Sequence, residues 1–139
     1  MRYLFLLLLT SCSLHHGTST AVEKTIPIRI VNKEQCQENW AEVKSYLLSH
    51  GLLIHETDKA EKTFICLWEP GLLLRLLMLT PINGYADGRV AWAIDDEDAI
   101  LHEIGHLFGL THNWRGVMFP MSNMLGTGLT DGELEVLKR

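Results

Sequence analysis

The sequence has no cluster of basic residues. Its 12 lysines and arginines are scattered singly and are outnumbered by 17 aspartates and glutamates, so the formal net charge is −5 at pH 7. Proteins that bind nucleic acids usually carry a basic stripe or patch on one face. The charge pattern therefore gives no support to a nucleic-acid partner.

Cysteine is scarce as well. Cys12, Cys36 and Cys66 are the only three in the chain, and their spacing does not match a zinc site built from cysteines. Cys36 falls on the apolar stripe of a predicted helix, and Cys66 falls within a predicted strand. In an oxidising compartment these two could form a disulfide, and they could equally remain buried free thiols.

The sequence also lacks an apolar run long enough to span a bilayer as a permanent helix. The unbroken run Tyr3–Leu9 follows the positive start Met1-Arg2 and has the pattern of the core of an export signal. Leu9-Thr10-Ser11-Cys12 resembles the bacterial lipobox, in which the cysteine is lipidated and becomes the new N-terminus. We therefore predict a signal peptide over residues 1–11, a lipidated and flexible tether over 12–23, and a place in the cell envelope. The alternative is an ordinary signal cleaved near Ser13 and a secreted protein.

Residues 24–139 are predicted to form one domain. The composition does not shift along the 139 residues, and a hydrophobic content of 47% suffices for one packed core. Alternating isoleucines predict a first strand over residues 26–30. A stripe at helical spacing predicts a first helix that Gly51 ends. The members of that stripe are Cys36, Trp40, Val43 and Leu47.

Three more strands and two more helices are expected downstream. The strands are Thr63–Trp68, apolar on both faces and hence central, then Leu72–Leu79, then Arg89–Ile94 after turns at Gly84, Asp87 and Gly88. The carboxylates of Asp95–Asp98 suit the start of a helix, and Thr130–Glu133 is a capping box that opens a terminal helix. His50 and His55 are interpreted as surface or helix-end residues.

A histidine-rich segment, residues 102–112, carries the chemistry. His102 and His106 are four residues apart on the second predicted helix, so their imidazoles share one face and can reach one zinc ion. Glu103 is the next residue round the helix, where it can act on a water molecule at the ion without ligating the ion itself.

The third histidine requires the helix to stop. If the helix continued, His112 would lie about 15 Å along the axis from His102, at about 1.5 Å per residue. Gly109 can adopt the left-handed conformation that ends helices, and the chain can then turn back towards the metal. The motif consists of His102, Glu103, His106, Gly109 and His112. A chance match at these five positions is expected on the order of once in a million starting positions.

This elongated motif resembles that of the metzincin zinc endopeptidases. Gly116-Val117-Met118-Phe119-Pro120 is similar to the matrixin form of the methionine turn that those enzymes place beneath the zinc. The resemblance implies an α+β fold, with a small twisted and mostly parallel sheet, an antiparallel edge strand, an active-site helix and a C-terminal helix. It further implies one catalytic Zn²⁺ held by His102, His106 and His112, and Glu103 as general base and acid.

The resemblance also implies how a substrate is held. In metzincins a peptide pairs as an added strand with the edge strand of the sheet, which would be within Leu76–Thr80 or, next to it, Arg89–Ile94. Pro120 and the segment to Leu125 resemble the wall of the pocket on the primed side. A peptide or protein substrate and a monomeric enzyme follow from the resemblance.

The sequence departs from the matrixins in several places. Asn113 follows the third histidine instead of serine, the stretch from His112 to Met118 is short, and neither a cysteine-switch propeptide nor a loop for a second zinc is visible. Two other functions remain open: a zinc-bearing surface module that binds a partner without cleaving it, and a hydrolase of non-peptide amides such as cell-wall crosslinks. Glu103 has no structural reason to be present in a binding module.

Overall fold

The computed structural model of the chain describes residues 21–67, 84–113, 116–118 and 128–139. This part of the chain forms a five-stranded sheet and three α-helices. The strands are β1 (Lys24–Val31), β2 (Leu52–Glu56), β3 (Thr63–Leu67), β4 (Gly84–Ala86) and β5 (Val90–Ile94). The helices are α1 (Gln37–Ser49), α2 (Glu97–Leu107) and α3 (Asp131–Lys138). None of these described helices is both long and apolar enough to cross a membrane.

The sheet is mixed and has the strand order β2-β1-β3-β5-β4. Neighbouring strands are parallel except at one edge, where β4 runs antiparallel to β5. The mostly parallel sheet with an antiparallel edge strand confirms that part of the expected architecture. However, β1, α1 and β2 form a parallel βαβ unit, so the described part is an α/β fold and not the α+β class expected from the sequence.

Helix α1 packs its predicted apolar stripe against the sheet. Trp40 stacks on Phe64 of β3 with ring centroids 5.2 Å apart, and both side chains are fully buried. Beside them, Cys36 and Cys66 form a disulfide with their Cα atoms 5.7 Å apart, which is within the usual range for such a bond. The disulfide ties the start of α1 to the central strand and excludes the alternative of two free thiols.

Helix α2 lies over the opposite end of the sheet, on small residues. Ala91 and Ala93 of β5 are buried and stand opposite Ala86 and Gly84 of β4 in the strand register. Because these four residues have little or no side chain, the helix backbone can approach the sheet closely. This arrangement brings α2 against the antiparallel edge of the sheet.

A carboxylate at the end of β2 collects three hydrogen bonds. Glu56 accepts from Lys33 Nζ at 2.7 Å, Lys44 Nζ at 2.8 Å and Trp40 Nε1 at 2.8 Å. Partial burial opposes ionisation of Glu56, but the three donors outweigh it and lower the pKa of Glu56 to about 2. These bonds connect β2 to α1 and to the turn that precedes it.

Three expectations about the strands were incomplete or wrong. Strand β2 was not predicted from the sequence. It is only five residues long, with Leu52 and Ile54 as its buried positions, and it follows directly on Gly51, which ends α1. Gly84 lies in β4 and not in a turn, and the predicted strand at 89–94 is β5, which lies between β3 and β4 and is therefore not an edge. The predicted strand Leu72–Leu79 lies outside the described residues.

Candidate metal centre

Helix α2 begins where the acidic run predicts. Asp96 is its N-cap, and the Oδ1 atom of Asp96 accepts a hydrogen bond from Ala99 N at 2.8 Å. Glu97 and Asp98 follow in the first turn, where the free amides and the helix dipole favour negative charge. These local interactions start the helix at a defined residue and so determine which face His102 and His106 occupy.

The helix ends where Gly109 predicts. Helical backbone stops at Leu107, and Gly109 has a φ angle of 92°, the left-handed conformation that glycine adopts without steric cost. Leu110 N then donates to Gly105 O at 2.9 Å, which turns the chain back along the last turn of α2. Gly51 ends α1 in the same way, with a φ angle of 85°.

The reversal brings the three histidines together. The ring of His112 lies 4.7 Å from that of His106 and 5.3 Å from that of His102, centroid to centroid. One ring nitrogen from each residue can be chosen so that all three lie within 4.8 Å of one another. Among the described residues, no other group of three or more possible metal ligands converges in this way.

Two backbone carbonyls orient two of the rings. His102 Nδ1 lies 2.6 Å from Val117 O, and His106 Nδ1 lies 2.8 Å from Leu110 O. A carbonyl oxygen can only accept, so each Nδ1 carries the hydrogen and each Nε2 is left with a lone pair. Carbonyls and carboxylates hold metal-binding histidines in the same manner.

The remaining nitrogens fit a cation. The Nε2 atoms of His102 and His106 are 3.0 Å apart. With their lone pairs facing each other they repel, unless a positive charge lies between them. Two nitrogens bound to one zinc ion at about 2.0–2.1 Å in tetrahedral geometry would be about 3.3 Å apart, close to the observed separation. The chemistry of the three donors and the spacing of this pair are compatible with one zinc ion.

The surroundings favour the neutral form of two of the rings, those of His102 and His112, and the neutral form is the one that binds a metal ion. Desolvation is the main cause that lowers the pKa of His102. Desolvation, and then the charge of His106, lower the pKa of His112, which is nevertheless exposed. The triad is thus buried on the helix side and reachable from solvent on the side of His112.

Glu103, the residue after His102 on α2, is a buried carboxyl group. It is only 7% exposed, and its Oε2 atom has no hydrogen-bond partner within the described part of the chain. Desolvation raises the pKa of Glu103 to about 7. A buried carboxyl oxygen without a partner is costly, so its presence here points to a partner outside the described residues.

Met118, the methionine of the predicted methionine turn, packs against the helix that carries His102 and His106. Its side chain is fully buried, and a Cβ atom at Gly105 would be 2.5 Å from Met118 Sδ. Gly105, between the two helical histidines, therefore makes room for Met118. Met118 O also accepts from Asn113 N at 3.0 Å, which joins this turn to the residue after His112.

Several contributors to the site were not identified from the sequence. Gly84 packs against Glu103, the carbonyls of Val117 and Leu110 orient the rings, and Glu133 reaches across to Asn113. No local pattern marks the first three. Glu133 was recognised for its capping box, which is formed with Thr130, but its second contact joins residues 20 positions apart.

Other predicted features lie outside the described residues: Cys12, the edge Leu76–Thr80 and the wall segment 120–125. No protein-family model matches the sequence, and no curated protein is significantly similar to it. The candidate function is therefore carried by the geometry of the site. That geometry is a histidine triad that could hold a metal ion, with a buried carboxyl group on the residue that follows His102.

Proposed function

We propose that this protein is a zinc-dependent endopeptidase of the metzincin type. The observation that carries the proposal is the convergence of His102, His106 and His112, with Glu103 following His102 on the same helix as a buried carboxyl group whose Oε2 atom has no partner within the described residues. Three protein ligands leave a zinc ion one open position, which distinguishes a catalytic site from a closed structural one. The mostly parallel sheet with an antiparallel edge is compatible with the fold that the sequence resemblance implies.

Each residue of the site has a separate role in this proposal. His102, His106 and His112 hold the ion, and the carbonyls at Val117 and Leu110 keep two of the rings in the binding tautomer. When bound, zinc would polarise the scissile carbonyl group and acidify a water molecule to a pKa of about 7. Met118 supports the helix from below by packing against Gly105.

Glu103 is the proton carrier of the reaction. Its carboxylate accepts the proton of the attacking water and then delivers it to the amine that leaves. Gly84 and the body of α2 keep this group away from bulk water. A buried carboxylate with no protein partner is free to take that proton, because no hydrogen bond within the described residues has to be broken first.

The peptide substrate is proposed to pair with the edge strand β4. The inner side of β4 pairs with β5, and no described strand pairs with its outer side. Gly84 places this edge directly beside Glu103. Strand addition uses main-chain hydrogen bonds, so it supplies affinity for extended peptides with little selectivity for their sequence.

The proposal extends to where the enzyme acts. The lipobox-like residues before Cys12 and the short apolar run suggest an exported protein that a lipid attaches to the cell envelope. The disulfide between Cys36 and Cys66 supports an oxidising compartment. The rest of the chain, residues 24–139, would then be the catalytic domain.

Two variants test the function and separate it from that of a zinc-bearing binding module. Glu103→Ala should keep its zinc while cleavage of an unstructured peptide mixture falls by roughly 10²–10⁴-fold, the range for losing a positioned proton-transfer group. His106→Ala should lose both zinc and cleavage, because two ligands do not hold the ion tightly. Glu97→Ala, at the exposed start of the same helix, is the control and should cleave like the wild type.

Metal analysis and mass spectrometry of the digest measure the two outcomes. A zinc-loaded wild type that cleaves no peptide would favour the binding module. Equal cleavage by wild type and Glu103→Ala would show that the proton carrier is misassigned.

A further inference from the structure

The third histidine differs from the other two in how it is held. Carbonyl oxygens fix the rings of His102 and His106, but within the described residues no hydrogen bond reaches the ring of His112. His112 is also exposed and belongs to a loop between Gly109 and the methionine turn. Its position therefore depends on what holds the backbone of that loop.

The residue after His112 is anchored on two sides. Asn113 N donates to Met118 O at 3.0 Å, and Asn113 Nδ2 donates to Glu133 Oε1 at 3.3 Å. The first bond ties the loop to the turn beneath α2. The second bond ties it to α3, which no local sequence pattern connects to the histidines.

Glu133 is more buried than its place in a helix requires. Acidic residues in the first turn of a helix are usually solvated, whereas Glu133 is only 8% exposed. Its Oε2 atom accepts from Thr130 N at 2.7 Å, which completes the capping box. The capping box occupies one oxygen of the carboxylate, and the other oxygen faces Asn113.

We propose that Glu133 and Asn113 are positioning residues for the third metal ligand, an inference that rests on the zinc site proposed above. The carboxylate of Glu133 holds the Asn113 side chain and so fixes the backbone on which His112 is mounted. Helix α3 thereby holds His112 in position through the backbone, whereas a carbonyl oxygen holds the ring of each of the other two histidines directly. A cavity of about 280 Å³ beside His112, lined in part by Glu133 and Val136, leaves the loop room to move when that bond is lost.

The chemistry of the contact makes the inference specific. Both oxygens of Glu133 accept hydrogen bonds, one from a backbone N–H and one from an amide NH₂ group. A carboxamide has only one accepting oxygen, so in Glu133→Gln its NH₂ group must face either Thr130 N or Asn113 Nδ2, and both of these are donors. If the carboxamide oxygen still accepts from Thr130 N, the carboxamide NH₂ group faces the NH₂ group of Asn113. Two donors cannot form a hydrogen bond, so the contact with Asn113 is lost.

The test measures zinc affinity in the full-length protein by competition with a chromophoric chelator. Glu133→Gln and Asn113→Ala should each weaken zinc binding by about 10-fold, the lower end of the effect of removing groups that orient metal ligands. Glu135→Gln is the matched control, because Glu135 lies on the same helix with a side chain that is 68% exposed. This control should bind zinc like the wild type.

A double variant separates positioning from simple loss of stability. In Glu133→Gln combined with Asn113→Asp the hydrogen bond is restored with donor and acceptor exchanged, while the carboxamide oxygen still accepts from Thr130 N. Zinc affinity should return to within about threefold of the wild type, the size expected for an exchange of one good hydrogen bond for another. Unfolding of the metal-free proteins, measured alongside, reports how much each substitution destabilises the fold.

Each outcome bears on one proposal. If the wild type binds zinc and both single variants bind it equally tightly, Glu133 and Asn113 do not position the ligand. If Glu133→Gln weakens zinc binding but Asn113→Ala does not, and the double variant does not recover, the loss comes from the helix cap, and the inference is likewise overturned. A wild type that binds no zinc would instead refute the metal site itself, and the inference with it.

Discussion

Gly84 in the edge strand β4 lies directly against the carboxyl group of Glu103 on α2. A Cβ atom at position 84 would be 2.6 Å from Glu103 Oε1 and 2.8 Å from its Cδ, closer than real Cβ contacts. The two residues are 19 positions apart and belong to different elements. The proposed substrate-binding edge and the proposed proton carrier are therefore in van der Waals contact.

Gly84→Ala should displace the carboxyl group without removing it. Alanine suits a strand backbone at this position, since Gly84 has no positive φ angle, so the strain should fall on Glu103. We expect zinc content to be unchanged and kcat to fall by about 10²-fold, the cost of misplacing a reacting group by about 1 Å. Metal analysis and peptide cleavage measure these two quantities, and circular dichroism checks that the fold is unchanged. A wild-type kcat in this variant would show that the contact does not position Glu103.

Met118→Leu should leave the site working. The exchange nearly conserves volume in a fully buried position, so the free energy of unfolding should fall by less than about 1.5 kcal/mol. Zinc content and cleavage should persist, because Met118 packs against Gly105 and is not a ligand. Chemical denaturation and metal analysis check this, and loss of zinc from a folded Met118→Leu protein would contradict a purely packing role.

Glu56 should make the protein sensitive to acid. Its pKa falls from 4.5 to about 2 on folding, so its contribution to stability is present above pH 4.5 and is lost as the pH falls towards 2. Urea unfolding of wild type and Glu56→Gln, both with chelator to remove any metal, isolates this contribution. The wild type should be more stable at pH 7 by about 1 kcal/mol, a small value because its exposed partner Lys33 is screened by water.

The advantage of the wild type over Glu56→Gln should shrink steadily between pH 5 and pH 2. An advantage that stays constant across this range would mean that the carboxylate charge is not what stabilises β2 against α1.

Cys12→Ala tests the proposed lipid anchor. The wild type, expressed in a bacterial host, should enter the detergent phase on phase separation, because a lipidated cysteine inserts its acyl chains into micelles. The variant lacks the thiol that would be modified and should stay in the aqueous phase. If both proteins partition alike, the N-terminal segment is an ordinary signal.

The parts of the site that the sequence predicted are local. His102 and His106 share a helix face because of their spacing, and Gly109 ends that helix because it tolerates a positive φ angle. The capping box of α3 and the apolar stripe of α1 are also short-range patterns, and the structure confirms them. In each case the residues that interact are within a few turns of one another.

What only the tertiary structure decided involves contacts between distant residues. Strand β2 forms because β1 offers it a partner, and Cys36 meets Cys66 because α1 crosses β3. Gly84 against Glu103 and Glu133 against Asn113 likewise depend on how elements pack. The physical reason is that backbone preference and hydrophobic periodicity act over a few residues, whereas packing and buried hydrogen bonds select partners across the whole chain. The sequence by itself determined which histidines could hold a metal ion and the helix that presents two of them, His102 and His106, and the tertiary structure decided what holds and surrounds the three.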